Sequence, residues 1–265
     1  MVNAINPRGI GWGVLPPAGT NAGDQKRGEF YAAMLAILGD CRLLWTPDSA
    51  DTTTSTTKDR YAATITWDAT IAARKSTLGS GLALGFDGAA NEGDIPDNDR
   101  YSFGNGAVDS AFSLLALANP TLGTTVRSLI GKESAALEWW WCIGADETLR
   151  LRLGDASAAA DMGQISDAAI TVGAWSLLGA TYDGSRAPTG VSLFQNAAKL
   201  ASSASVTGTY VAMENGASLI QIGNRQADLF WADSMAMLAI TAKALTIDEQ
   251  WAIKALVNGY FDLAL

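Results

Sequence analysis

Two clusters of residues in this chain, and one lone tryptophan, have types and spacings that could do chemistry. Asp87, Asn91, Glu92, Asp94, Asp97, Asn98 and Asp99 crowd into one stretch between Gly85 and Arg100. Hard cations take several oxygen ligands, so Asp87, Asn91, Asp94, Asp97 and Asp99 are the candidate calcium ligands. The stretch does not fit an EF-hand loop. The same side chains also cap turns in a solvated acidic loop, and both readings stand. The second cluster is aromatic and basic: Trp139-Trp140-Trp141, then Leu149, Leu151 and Leu153 alternating with Arg150 and Arg152. On a hairpin turning around Ala145-Asp-Glu147, side chains alternate between faces. If the leucines face the core, Arg150 and Arg152 face outward, on the surface that Trp140 shares. A guanidinium over an indole makes a modest cation–π contact, and Trp and Arg are enriched in interfaces. Trp140, Arg150 and Arg152 are therefore candidates for a subunit interface, for burial under another segment, or for stacking on a sugar. Trp12 joins them from an apolar N-terminal segment.

The chain contains no histidine. That excludes Ser-His-Asp and Cys-His nucleophile pairs and His-ligated metals. Catalysis here would have to run on carboxylates, Tyr, Lys or Ser. A formal net charge of −9 with scattered basic residues lacks the clustered Lys and Arg of a nucleic-acid footprint. No apolar run reaches the roughly 18 residues of a membrane span, and Met1 to Arg8 show no apolar signal region. The expectation is a protein made in the cytoplasm of its host. Two cysteines, Cys41 and Cys142, make no disulfide framework; they are expected as free, buried thiols.

The elements that must position these residues follow from patterning. Residues 1–28 are rich in Gly, Pro and Asn, yet carry Ile5, Ile10, Trp12, Val14 and Leu15. They are expected to form an extended arm that packs on its own domain or on a neighbour. A helix over Glu29 to Leu38 places Phe30, Met34, Ile37 and Leu38 on one face. Cys41 to Trp45 reads as a strand, Ser49 to Asp59 as a surface loop, and Tyr61 to Ile71 as a strand or an irregular crossing. Strands are then expected at Leu82–Phe86, Tyr101–Phe103, Ala111–Ala118, Ser128–Lys132, Leu137–Ile143 and Leu149–Leu153. Ile170–Val172, Trp175–Thr181, Val191–Phe194 and Leu219–Ile222 continue the series. Thr246-Ile-Asp-Glu249 is a capping box opening a helix that ends near Gly259. Short strands separated by turn residues indicate a sandwich.

The order of these motifs carries a resemblance. Phe86-Asp-Gly88 with Ile95-Pro96, Phe112-Ser-Leu-Leu-Ala116, Leu129-Ile-Gly-Lys132, Trp175 through Gly184 with Val191 to Asn196, and Ile222-Gly-Asn224 before Ala244 to Glu249 resemble the laminin-G-like, concanavalin-A-like jelly rolls. The likeness covers about two thirds of the chain, from Leu82 to Val257. It implies an all-β, antiparallel two-sheet sandwich over residues 29–265, with one helix before it and one after. The family usually has Asn-Gly where this chain has Asn196-Ala197, so that turn must differ. Glycosidases with this fold share an E-x-D-x-x-E strand, and the seven glutamates here never take that spacing.

Fold does not dictate function. With no catalytic motif, an apolar arm, and an acidic, His-free composition similar to phage structural proteins, the expectation is a non-enzymatic structural or adhesive virion component. Capsid decoration and a tail position both fit, with homo-oligomeric and other virion partners. The alternative is a carbohydrate-binding, lectin-like module recognising a surface glycan. A third reading is a divergent glycoside hydrolase using paired Asp residues. No cofactor is implied beyond calcium.

Overall fold

The structure, a computed structural model, describes residues 22–68, 70–133, 136–225 and 229–265. In chain order it begins with α1 (Ala22–Leu38), β1 (Cys41–Trp45), β2 (Thr54–Thr56), β3 (Thr64–Trp67), β4 (Lys75–Leu78), β5 (Gly81–Gly85) and β6 (Gly93–Ile95). Next come β7 (Phe112–Asn119), β8 (Arg127–Lys132), β9 (Trp139–Ile143), β10 (Leu149–Asp155), β11 (Ala160–Ser166) and β12 (Ser176–Tyr182). The chain closes with β13 (Val191–Gln195), β14 (Ala198–Lys199), β15 (Ser202–Thr207), β16 (Ile220–Ile222), β17 (Ser234–Thr241) and α2 (Ile247–Phe261).

The strands form two antiparallel sheets. One runs β14-β13-β12-β7-β17-β5-β4, with β1 paired to the far end of β17; the other runs β15-β11-β10-β9-β8-β16-β6-β3-β2. The expected all-β sandwich with a helix at each end is what the chain forms. Between the sheets lies the main core, where Leu114, Ala116, Tyr182 and Leu238 from the first sheet meet Trp139, Trp141, Leu151 and Leu153 from the second. Both helices cover the outer face of the first sheet. Phe30, Met34 and Leu38 of α1, with Ile253, Val257 and Phe261 of α2, pack on Leu115, Leu117, Leu177 and Met237. Phe30 stacks on Tyr260 with ring centroids 4.3 Å apart. The described residues therefore form three layers, and among them only the second sheet has an outer face without a helix over it.

That layering explains why β17 escaped the strand pattern. Ser-Met-Ala-Met-Leu-Ala-Ile-Thr is apolar on both faces because it is covered on both, and such strands show no alternation. β11 and β15 were also not anticipated; they are rich in Ala, Gly and Ser, which carry little strand signal.

Other expectations need correction. Helix α1 starts at Ala22 rather than Glu29, so residues 22–28 are not an extended arm. Gln25-Lys26-Arg27 are good helix formers, Asp24 lies in the first turn, and one interior glycine, Gly28, costs only about 1 kcal/mol. Residues 1–21, with Trp12, lie outside the described residues. The Ser49–Asp59 stretch contains β2, whose Ser55 is buried and accepts a hydrogen bond from the Trp67 indole at 2.9 Å. Asp99–Tyr101 is a single 3-10 turn capped by Asn98, not the start of a strand, and residues 170–172 form no strand. Helix α2 runs past Gly259 to Phe261, because Tyr260 and Phe261 are buried against Phe30; Asp262 ends it in the left-handed region with φ 54°. Cys41 and Cys142 are both free and buried, as expected.

Candidate functional site

The open face of the second sheet carries a cleft of about 310 Å³ lined by Val126, Trp140, Arg150, Arg152, Ile165, Ser205, Arg225 and Leu229. Its floor comes from the register of β9, β10, β11 and β15. Trp140 is paired with Arg152, Cys142 with Arg150, Ile165 with Arg150, and Gly163 with both Arg152 and Ser205. The alternation read from the sequence holds at each position. Trp139, Trp141, Leu149, Leu151 and Leu153 enter the core, while Trp140, Arg150 and Arg152 point the other way.

Trp140 is not the exposed platform that sugar stacking would use. Only 4% of its surface is accessible. Its indole N–H donates to Ser128 Oγ at 3.1 Å. On β8, Gly131 sits opposite Trp140, and a Cβ there would stand 3.1 Å from the indole Cδ1. A glycine thus leaves room for the ring to lie down along the sheet. The guanidinium over that ring belongs to Arg225, with Cζ 4.1 Å from the ring centroid, and not to Arg150 or Arg152. Nothing in the pattern around Gly223-Asn224-Arg225 marks this residue beforehand; the loop after β16 brings it in from a distant part of the chain.

Each of the three arginines is held by a carboxylate. One nitrogen of Arg150 reaches both oxygens of Asp146 at 2.8 and 2.9 Å, and its Nε donates to Thr148 Oγ1 at 2.9 Å. Arg152 donates to Asp161 at 2.6 and 3.3 Å. Arg225 makes a two-pronged pair with Glu133, a buried side chain. Such fork-to-fork pairing fixes guanidinium planes. Hydrogen bonding from the Thr148 hydroxyl, then from its backbone, and the charge of Arg150 hold Asp146 down to about 2. Beneath the arginines, burial pushes the Cys142 thiol up to about 12.

The expected calcium ligands are not gathered. Asp87 Oδ1 accepts from the backbone N–H groups of Ala89, Ala90 and Asn91, and Oδ2 pairs with Arg74 at 3.1 Å. Asn91 Oδ1 accepts from the Asp87 N–H at 3.1 Å. Asp97 pairs with the buried Lys132 at 2.9 Å, and Asp99 accepts from Asn215 at 3.0 Å. Asp94 stands on β6. Among the described residues, no group of three or more His, Cys, Asp or Glu side chains is arranged to hold a metal ion.

One carboxyl in that stretch has a different character. Glu92 accepts from Asn224; desolvation, with Asp68 and Asp94 nearby, raises it to about 7.

No protein-family model matches the chain, and no curated protein does. Solved structures do. The binding domain of Paraclostridial Mosquitocidal Protein 1 superposes with a TM-score of 0.58 at 14% identity, over 85% of this chain and 53% of that one. The ligand binding domain of botulinum neurotoxin serotype D, in complex with N-acetylneuraminic acid, gives 0.56 at 11%, over 84% and 52%. Domain 4 of AbnA, a GH43 extracellular arabinanase from Geobacillus stearothermophilus, in complex with arabinotriose, gives 0.56 at 17%, over 81% and 98%. This chain thus spans about half of either toxin domain and nearly all of the arabinanase domain. At these identities the likeness shows the fold alone: an all-β sandwich of the kind found in lectin-like and carbohydrate-binding domains.

Proposed function

We propose that this protein is a non-catalytic, lectin-like module that binds a glycan in the cleft above Trp140. The observation that carries this is the Arg225–Trp140 pair, set beside Arg150 and Arg152 on a sheet face that neither described helix covers. Ligand clefts run from about 300 to 1,000 Å³ and combine apolar walls with a few fixed polar groups. Val126, Ile165 and Leu229 supply the walls; the clamped guanidiniums and Ser205 supply the polar groups. Two of the similar structures hold a sugar, which supports a glycan ligand here. The virion role expected from composition draws no support from these likenesses.

Binding without hydrolysis fits the carboxylates. Asp146, Asp161 and Glu133 are each engaged by an arginine of the cleft and serve to fix the guanidiniums. The test is isothermal titration of oligosaccharides against the native chain and Arg152→Ala. Saturable binding that weakens at least about tenfold, a loss of about 1.4 kcal/mol, supports the reading. Binding that is identical in the two proteins contradicts it.

A further inference from the structure

We infer that the cleft selects uncharged glycans, reading vicinal hydroxyls rather than a carboxylate or sulfate; this rests on the glycan-binding reading above. Three arginines in a cleft ordinarily point to an anion. Here each is already matched: Arg150 by Asp146, Arg152 by Asp161, Arg225 by Glu133. Among the described residues, three cations and three anions balance at the site, within a chain whose formal net charge is −9. An incoming carboxylate would add a fourth negative group among the six, with no unmatched cation to receive it. It would also stand against Asp146, Asp161 and Glu133, the carboxylates that already hold these arginines, and like charges at short range repel.

A hydroxyl pair has neither problem, because each hydroxyl both donates and accepts. Among the described residues, nothing accepts a hydrogen bond from the Nη1 nitrogens of Arg150 and Arg152. They are fixed donors on side chains that line the cleft, two residues apart on one strand. The carboxylates holding those arginines keep lone pairs for accepting from the same diol. Beside them, Val126, Ile165 and Leu229 offer a surface for the C–H face of a sugar ring. The indole face of Trp140 is already taken by Arg225, so ring stacking falls to the guanidinium plane above it.

The test is a printed array of neutral, carboxylated and sulfated oligosaccharides probed with the full chain. Hits are then titrated at about 0.1 M and about 1 M NaCl, which shortens the screening length from about 10 Å to about 3 Å. Hits confined to neutral sugars, with affinity changed less than about twofold by salt, are the expected result. Hits among acidic sugars that fall away with salt and with Arg152→Gln overturn this inference but leave glycan binding intact. An array with no hits at all overturns the glycan reading itself. Arg150→Gln, whose partner Asp146 is far more exposed than Asp161, repeats the comparison if Arg152→Gln fails to fold.

Discussion

Arg225 lies over the indole of Trp140, Cζ to centroid 4.1 Å, while its Nε and Nη2 both donate to Glu133. The pair joins the loop after β16 to the middle of the sheet, and it sets the shape of the cleft. Arg225→Ala removes the lid from the indole and takes a two-pronged partner from a buried carboxylate. The expected cost is about 2 kcal/mol, below the roughly 3–5 kcal/mol of a fully buried pair because Arg225 is partly exposed. Denaturant titration measures it. The double variant Arg225→Met with Glu133→Leu should recover most of the loss, whereas additive losses would mean the two side chains act independently.

Glu92 gives the fold a pH dependence with a definite sign. Its carboxyl is raised from 4.5 to about 7 in the folded chain, by desolvation and by Asp68 and Asp94. Between those values the folded form holds a proton that the unfolded form has lost, so stability falls as pH rises from 4.5 through about 7. Melting temperatures across that window should decline in the native chain and decline less in Glu92→Gln. Equal slopes in the two would show that another group titrates.

The ends of the elements offer a second kind of check. Thr246 caps α2 in a complete capping box, its hydroxyl accepting from the Glu249 N–H while Glu249 accepts from the Thr246 N–H. Thr246→Ala should cost about 1 kcal/mol, read as a lower denaturation midpoint with an unchanged slope.

Ala159 closes the turn between β10 and β11 with φ 48° on an exposed site. The left-handed region costs an L-residue roughly 1 kcal/mol or more, and glycine avoids that cost. Ala159→Gly should therefore raise the melting temperature, and Ala159→Val should lower it. A fall with glycine would mean the turn is not strained.

Much of this was legible in advance where local chemistry decides the outcome. The capping box at Thr246, the core-facing Trp139 and Trp141, and the outward Arg150 and Arg152 all follow from spacing alone. What escaped notice depends on the third layer. Helices over the first sheet turn β17 into a strand apolar on both faces, and they carry α2 past Gly259. The site escaped for another reason. Arg225 and Glu133 come from segments far apart in sequence, and only the pairing of β16 with β8 sets them beside Trp140. The turn at Asn196-Ala197 shows the same limit from the other side: both residues adopt positive φ, 53° and 65°, so alanine takes a geometry that glycine adopts without strain.

Central to all of this is that a sugar occupies the cleft above Trp140. Two-dimensional nitrogen–proton NMR of the full chain, titrated with the neutral oligosaccharides that bind, reads it directly. The indole N–H of Trp140 and the side-chain N–H groups of Arg152 and Arg225 should shift and saturate together. The indole of Trp251, 51% exposed on the far helical layer, should stay still. Saturable shifts at Trp251 with a silent Trp140 would place the ligand elsewhere and contradict the assignment.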